Sequence, residues 1–207
     1  MALLYDATLV PSKLELLTAW LPARSWFTGG AAIQRVGAYR FDDPAGEVGV
    51  ETFLVSADGD TVFHVPLTYR NAALPGKHDF LLGTTEHSVL GTRWVYDGCA
   101  DPVWASTVAT AILTGGTQAE EFIDRGDRLE PRSPLATVRG SGASGTSVPE
   151  IVAVACFDQG ATTVVRAGAL EMVVARVVGA AVEAPHTLTG NWAGHEPVVL
   201  AGARVPG

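Results

Sequence analysis

The stretch VETFLVSADGDTVFHVPLTYR, residues 50–70, decides the fold because it predicts a β-hairpin. Two runs rich in Val, Phe, Thr and Tyr flank Asp58-Gly59, a dipeptide that tolerates positive φ at both central positions of a type I′ turn. A two-residue loop at this dipeptide predicts three facing pairs across the strands: Val55 with Val62, Leu54 with Phe63, and Thr52 with Val65. The other elements are then expected to pack around this hairpin.

This register predicts one apolar face and one mixed face, because side chains alternate between the two faces of a strand. The apolar face carries Val50, Thr52, Leu54, Phe63, Val65 and Leu67. The mixed face carries Glu51, Phe53, Val55, Asp60, Val62 and His64. Another element must therefore cover the apolar face.

Two helices with clear ends are predicted on either side of the hairpin. Residues 11–21 form a short helix in which Ser12 and Glu15 make a capping box, and its apolar stripe is the natural cover for the hairpin. After the hairpin, Asp101 caps a second helix that has Pro102 at its first position and ends at Gly115. Residues 33–41 and 88–96 predict further strands beside the hairpin.

The amino-acid composition of the chain changes near Arg132, where we place a domain boundary. The charged segment EEFIDRGDRLEPRSP, residues 120–134, is typical of a linker or a short surface helix. Residues 135–141, 149–157, 162–168 and 197–202 then predict strands of a small antiparallel sheet. Residues 170–178 predict a further strand, but Leu, Glu, Met, Ala and Arg in this run also suit a helix, so both interpretations stay open.

Composition predicts a compact, cytoplasmic protein. With 14 Lys and Arg against 22 Asp and Glu, the net charge is −8, and the absence of a basic run makes nucleic acid an unexpected partner. No segment approaches the ~18 to 20 continuous apolar residues of a membrane span, and the N-terminus lacks the pattern of a signal peptide. Cys99 and Cys156 are far apart in sequence and predict neither a disulfide framework nor a zinc site.

Motifs for catalysis and metal binding are weak, and we expect no cofactor. The five histidines are scattered, and no pair has the spacing of a helix face. No GxSxG motif is present. Cys99 precedes a predicted helix N-terminus and is the better of the two cysteines as a reactive group, although structural packing is the favoured interpretation.

A glycine-rich stretch, RGSGASGTS at residues 139–147, has Gly140, Gly142 and Gly145 at GxGxxG spacing. Freed backbone amides in such a loop can bind a phosphate. A dinucleotide site requires a helix directly after the loop, whereas Pro149 and a β-branched run follow here. A flexible hairpin loop is the favoured interpretation of this stretch.

Three segments in the same order resemble the N-terminal cap domain of actinobacterial maltokinases. They are WLPARSWFTGG at residues 20–30, FHVPLTYR at residues 63–70, and YDGCADPVWASTVATAIL at residues 96–113. The chain departs from the family pattern at Ser25, where the family tends to have Arg, and at Gly30, where it tends to have Lys.

The resemblance implies an α+β protein. Residues 1–132 would form a cap-like domain, a curved antiparallel sheet with packed helices similar to a cystatin fold. Residues 133–207 would form a small antiparallel β-rich subdomain resembling the intermediate region of these kinases. The catalytic lobe of the family has no counterpart in this sequence, so we expect no enzymatic activity.

The tryptophans offer a candidate binding surface. Trp26 lies beside Phe27, and Trp94 lies between Arg93 and Tyr96 in its strand, and we expect these five residues to face a ligand or a partner.

The resulting hypothesis is a non-catalytic binding or regulatory module, resembling a free-standing maltokinase cap. It would dock on a protein of trehalose, maltose or glycogen metabolism, or associate with itself through the hairpin face or the later sheet. The alternative is a small-ligand protein that binds a sugar or nucleotide through the glycine-rich loop or the exposed tryptophans.

Overall fold

The computed structural model describes residues 2–5, 7–30 and 32–205. It is mostly antiparallel β-sheet, with 46% of residues in strands, and includes a sheet curled into a half-barrel. Two domains are predicted, residues 1–132 and 133–207. Residue 1 of the first and residues 206–207 of the second lie outside the described residues. The helices described are α1 (Lys13–Trp20) and α2 (Pro102–Thr114).

The strands described form three sheets. In chain order they are β1 (Ala2–Tyr5), β2 (Leu9–Val10), β3 (Ile33–Phe41), β4 (Gly49–Ala57), β5 (Val62–Arg70), β6 (Leu81–His87), β7 (Gly91–Asp97), β8 (Glu121–Asp124), β9 (Leu129–Arg132), β10 (Ala136–Gly140), β11 (Ala155–Gln159), β12 (Thr162–Ala167), β13 (Leu170–Ala175), β14 (His186–Trp192) and β15 (Val198–Arg204). The N-terminal sheet has the order β2-β6-β7-β5-β4-β3, the C-terminal sheet β10-β14-β15-β13-β12-β11, and the small sheet β1-β8-β9.

The predicted hairpin exists as β4 and β5, but its predicted register is wrong by one residue. The observed partners are Val55 with Phe63 and Leu54 with His64, because the last pair is Ser56 with Val62 and leaves a five-residue loop, residues 57–61, instead of a two-residue turn. Asp58 and Gly59 do have positive φ, at 50° and 135°. A shift of one residue moves every side chain of one strand to the opposite face relative to the other strand.

In the observed register, both faces of the hairpin are buried. One face carries Phe53 and Val55 with Phe63, Val65 and Leu67, and these side chains pack in one cluster with α1. The other face carries Val50 and Leu54, which pack in a second cluster with α2 and the C-terminal sheet. The hairpin is therefore enclosed on both sides, so its faces cannot serve the predicted self-association.

Helix α1 confirms its predicted ends and covers one face of the hairpin. The Ser12 amide donates to Glu15 Oε2 at 2.7 Å, and the Glu15 amide donates to Ser12 Oγ at 3.3 Å, so the capping box is complete. Leu16, Leu17 and Trp20 are buried against the sheet. Burying side chains of this size contributes about 1.5–3 kcal/mol each.

Helix α2 also has the ends that the sequence predicts. Asp101 caps its N-terminus by accepting from the Val103 amide at 2.9 Å, and Gly115 ends it in the left-handed conformation with φ of 73°. Asp101 accepts two further hydrogen bonds from the Arg70 guanidinium, both at 2.7 Å. The N-terminal sheet thus fixes the start of α2.

Residues 121–132 are neither a linker nor a surface helix. They form β8 and β9, and β8 pairs in parallel with β1 from the start of the chain. The sequence expectation was wrong because the charges were taken to indicate solvent exposure, whereas Glu121 is buried and pairs with Arg132 at 3.8 Å. The boundary near Arg132 remains a prediction.

In the second half, residues 170–175 form strand β13, so the open choice between strand and helix is resolved. Antiparallel partners on both sides, β12 and β15, override the helix propensity of this run. The strand predicted from residue 149 begins at Ala155, and residues 88–90 form a turn before β7. Strand β14 was not predicted, since Gly190 and Asn191 interrupt its apolar pattern.

Candidate functional site

The five residues of the predicted aromatic surface do not form one surface. Trp26 is 3% exposed and Tyr96 is 2% exposed, so the predicted surface position of both is wrong. Phe27 is half-buried with its ring 4.8 Å from that of Phe63. Arg93 and Trp94, both half-buried, are consecutive residues of β7 and therefore point to opposite faces of the sheet.

Trp26 is a core residue because two neighbours enclose its ring. It packs against Phe63 at a centroid distance of 6.2 Å, and the Arg176 guanidinium lies 5.1 Å from the ring centre. This is a buried cation–π contact. Tyr96 has a structural role as well, since its hydroxyl accepts from the Leu74 amide at 2.9 Å.

The glycine-rich loop caps the C-terminus of α2. The Gly142 amide donates to the Ile112 carbonyl at 2.9 Å, and the Ala143 amide donates to the Leu113 carbonyl at 3.1 Å. These carbonyls are at the negative end of the helix dipole. The loop amides are therefore already bonded, and a phosphate placed here would face carbonyl oxygens instead of amides.

The close approach to α2 explains two of the three glycines. A Cβ on Gly142 would lie 1.9 Å from the Leu113 carbonyl oxygen, and a Cβ on Gly140 would lie 1.9 Å from the Ala111 carbonyl oxygen. Gly145 has φ of 85° but open space around it. The spacing that resembles a nucleotide motif thus reflects packing of the loop backbone against the helix backbone.

We expect Gly142→Ala to lower the free energy of unfolding by about 3 kcal/mol, because the added methyl must displace backbone that cannot rotate away. The matched control Gly145→Ala meets no neighbour and should lose only about 1 kcal/mol through its positive φ. Urea denaturation of both variants measures the difference. Equal losses would contradict a packing role for Gly142.

The titratable groups that sequence analysis weighed for chemistry are buried in structural positions. Burial raises the pKa of the Cys99 thiol well above its usual range, so Cys99 is not a thiolate. Burial lowers the pKa of His64 to about 4. His64 Nδ1 donates to the Ala175 carbonyl at 2.9 Å, and Nε2 accepts from the Tyr39 hydroxyl at 2.8 Å. Among the described residues, no group of three His, Cys, Asp or Glu side chains has the arrangement of a metal site.

A charged site that sequence analysis missed lies where α1 meets β3, β4 and β5. Its centre is Glu51, a buried carboxylate in an otherwise apolar hairpin face. Glu51 Oε2 accepts from Lys13 Nζ at 2.6 Å and from the Tyr69 hydroxyl at 2.8 Å. Glu51 Oε1 accepts from Arg40 Nη2 at 2.8 Å.

Electrostatics keep this carboxylate ionised. Burial by itself raises the pKa of Glu51, but Arg40 and Lys13 outweigh that effect and bring the pKa to about 2. Burial also lowers the pKa of Lys13, and the attraction of Glu51 opposes this change. The ammonium lies 4.7 Å from the centre of the Tyr69 ring.

The small sheet covers this charged site from the other side. It contributes Glu121, which is buried, and Arg132, whose Nε lies 3.8 Å from Glu121 Oε2. Burial raises the pKa of Glu121. The space between the two sheets is a partly open cavity of about 160 Å³.

A larger groove of about 680 Å³ opens beside the cavity and shares Leu4, Tyr5, Lys13 and Arg40 with it. Arg93 of the predicted surface lines this groove, together with His87 and Leu90.

One signal in the sequence points to the charged site around Glu51. Arg40 and Glu51 face each other when β3 and β4 are paired through the turn at residues 42–48. No such signal in the sequence points to Lys13, Glu121 and Arg132, because these residues come from distant parts of the chain.

Residues 20–101 match the family model of the maltokinase N-terminal cap domain. Over these residues the chain is similar to a maltokinase cap domain. The match spans β3 to β7, so Arg40, Glu51 and Tyr69 lie inside the matched residues, whereas Lys13, Glu121 and Arg132 lie outside them. No curated protein sequence matches the chain. Neither helix of the described residues has the length and apolar character needed to cross a membrane.

Proposed function

We propose that the chain is a non-catalytic binding or regulatory module, built on a maltokinase-type cap domain, that docks on a protein partner. The observation that carries this proposal is the cap-domain match over residues 20–101. The partner would belong to trehalose, maltose or glycogen metabolism in the cytoplasm. The proposed organisation is a cystatin-like α+β cap domain of residues 1–132 and a β-rich subdomain of residues 133–207.

The structural roles of the reactive side chains support a binding module. Cys99 and His64 are enclosed in the core, where packing and hydrogen bonds hold them. The glycine-rich loop is bonded to α2. Cys99, His64 and the glycine-rich loop were candidates for catalysis or ligand binding in the sequence, and in the structure they stabilise the fold.

An exposed apolar patch offers the docking surface, and we define it by Tyr5, Val89 and Leu90. Val89 is 56% exposed and Leu90 is 41% exposed, and both lie in the turn between β6 and β7. The Tyr5 ring packs edge-on against His87, which precedes this turn, at a centroid distance of 6.0 Å. Tyr5 and Leu90 also line the groove of about 680 Å³, so the patch continues into a concave surface.

A protein with an apolar segment is the partner that suits this surface. Such a segment would cover the patch while its polar groups meet the charged residues of the groove, among them Arg93 and Glu47. Apolar patches bordered by polar residues are typical of protein interaction sites. The β6–β7 turn keeps its shape without these side chains, because the backbone amides of Val89 and Leu90 donate to His87 Nδ1 at 3.2 and 3.1 Å.

We expect the double substitution Val89→Asp with Leu90→Asp to weaken partner binding at least tenfold without changing stability, because it places charge at the centre of the patch. The partner is first isolated by cross-linking and co-elution from cells that produce the native protein. It is then purified separately and titrated with each variant. The control is Val152→Asp at another exposed apolar position, which is 79% exposed.

Two outcomes would contradict the proposal. One is recovery of the native protein from its own cells as a free monomer at its natural concentration. The other is a purified partner that binds the patch variant and the wild-type protein equally, which would place docking on a different surface.

A further inference from the structure

The cavity between the small sheet and the N-terminal sheet has an excess of positive charge. Its charged lining residues are Lys13, Arg35, Arg40, Arg132, Glu51 and Glu121. Four cationic groups thus face two carboxylates across a partly open space of about 160 Å³, and Arg35 lies at its exposed side. Charges of one sign interact more strongly in such a space than in open water, because less solvent screens them.

The carboxylates do not balance the cations one to one. Glu51 is shared by Lys13 and Arg40. Glu121 lies 3.8 Å from Arg132, which is an ion-pair distance beyond hydrogen-bond range. Arg35 lies over the Phe53 ring at 5.1 Å and has no carboxylate partner among the described residues.

Several hydrogen-bond donors at the cavity are unused within the part of the chain that the structure describes. Lys13 uses one of its three ammonium protons, on Glu51 Oε2. Arg40 uses Nη2 on Glu51 Oε1, and its guanidinium carries further N–H groups. The shared Glu51 fixes the positions of both cations, so their remaining donors are arranged before any ligand arrives.

We propose that this cavity binds a small oxyanion of the phosphate type. Guanidinium and ammonium groups are the side chains that form short, strong hydrogen bonds with phosphate oxygens. The volume corresponds to roughly five water molecules at about 30 Å³ each, which suits one phosphate with some of its hydration. The adjoining groove provides an entry path through the shared residues Tyr5 and Lys13.

This site borders the docking patch, since Tyr5 lines both, but its ionic donors are different residues, so the proposal stands whether or not a protein partner exists. The donors come from α1, β3 and β9, and the ligand contacts would be ionic, whereas the docking contacts are apolar.

Isothermal titration of the full chain with inorganic phosphate, at constant ionic strength, tests the proposal directly. The expected result is saturable 1:1 binding of phosphate and sulfate, two tetrahedral oxyanions, with no saturable binding of chloride. Equal heat effects from all three anions would indicate unspecific screening and would overturn the proposal.

Two variants with opposite expected effects separate a ligand site from a purely structural cluster. Arg132→Gln removes a cation and should weaken phosphate binding about tenfold, whereas Glu121→Gln removes a competing carboxylate and should tighten it about tenfold. Arg166→Gln, at an exposed ion pair with Glu171, is the control and should change nothing. If Arg132→Gln does not fold, Arg35→Gln tests the same loss of charge. Unchanged or weaker binding by Glu121→Gln would overturn the proposal.

Discussion

Replacement of Arg176 by Met is expected to lower the free energy of unfolding by about 3–5 kcal/mol, because it leaves a buried carboxylate without its cation. Arg176 is fully buried, and its Nη2 donates to Asp97 Oδ2 while its Nε donates to Thr163 Oγ1 at 2.7 Å. Asp97 is also buried, so water cannot replace the lost partner. Chemical denaturation at neutral pH measures the loss.

The matched control for this prediction is Arg166→Met. Arg166 is a largely exposed residue of β12 that pairs with Glu171 at 3.1 Å, and removal of an exposed pair should change stability by less than about 1 kcal/mol. A loss below about 1 kcal/mol for Arg176→Met would show that Asp97 finds other partners and would contradict the prediction.

The large effect at Arg176 follows from its position between the two six-stranded sheets. Asp97 ends β7 of the N-terminal sheet, and Thr163 belongs to β12 of the C-terminal sheet. The backbone continues the connection, since the His64 amide donates to the Arg176 carbonyl at 2.9 Å and the Val178 amide donates to the Val62 carbonyl at 2.8 Å. The start of β5, the second strand of the central hairpin, is thus held by the chain that follows β13.

Acid is expected to lower the stability of the protein in two steps, of which His64 causes the first. The pKa of His64 is about 4 in the folded protein because burial disfavours the charged ring, against 6.5 when unfolded. The unfolded chain therefore binds more protons between these values, so stability is full above pH 6.5 and falls by about 3 kcal/mol as the pH drops to 4. The positive charge of Arg176 acts in the same direction.

Glu51 causes the second step at lower pH. Its pKa is about 2 in the folded protein against 4.5 when unfolded, because Arg40 and Lys13 more than offset its burial. Its contribution of about 3 kcal/mol is therefore present above pH 4.5 and is lost as the pH falls toward 2. Glu121, whose pKa is raised by burial, acts in the opposite direction and reduces the net loss.

Urea denaturation at a series of pH values tests the first step, with His64→Asn as the matched variant. The Asn amide can donate to the Ala175 carbonyl as His64 Nδ1 does, but it does not titrate. The variant should lose stability at every pH and show a flatter dependence between pH 6.5 and 4. The same slope in variant and wild type would assign the acid sensitivity to other groups.

Local sequence signals predicted the elements more accurately than the contacts between them. The capping box of Ser12 and Glu15, the cap at Asp101 and the left-handed Gly115 each fix a helix end through neighbouring residues. The hairpin register depended on loop length: the Asp58-Gly59 signal predicts a two-residue loop, whereas the structure leaves five residues, 57–61, between the last pair of Ser56 and Val62. The result was an error of one residue that exchanged the faces.

The candidate sites were harder to predict than the elements, because exposure and charge balance are properties of the assembled fold. Trp26 and Tyr96 were expected at the surface, but the Arg176 guanidinium and the sheet enclose Trp26 and the core encloses Tyr96. The contact with α2 shows why Gly140 and Gly142 are there, which the GxGxxG spacing alone does not reveal.

The sequence by itself determined the positions of the helices, most of the strands, and the cap-domain resemblance, which the match over residues 20–101 confirms. These depend on patterns within a few residues of one another. The tertiary structure alone decided which face of the hairpin meets which helix, and it brought Lys13, Glu51, Glu121 and Arg132 to one cavity. The physical reason is that burial, and the charge interactions it strengthens, arise between residues far apart in the chain, where local propensity carries no information.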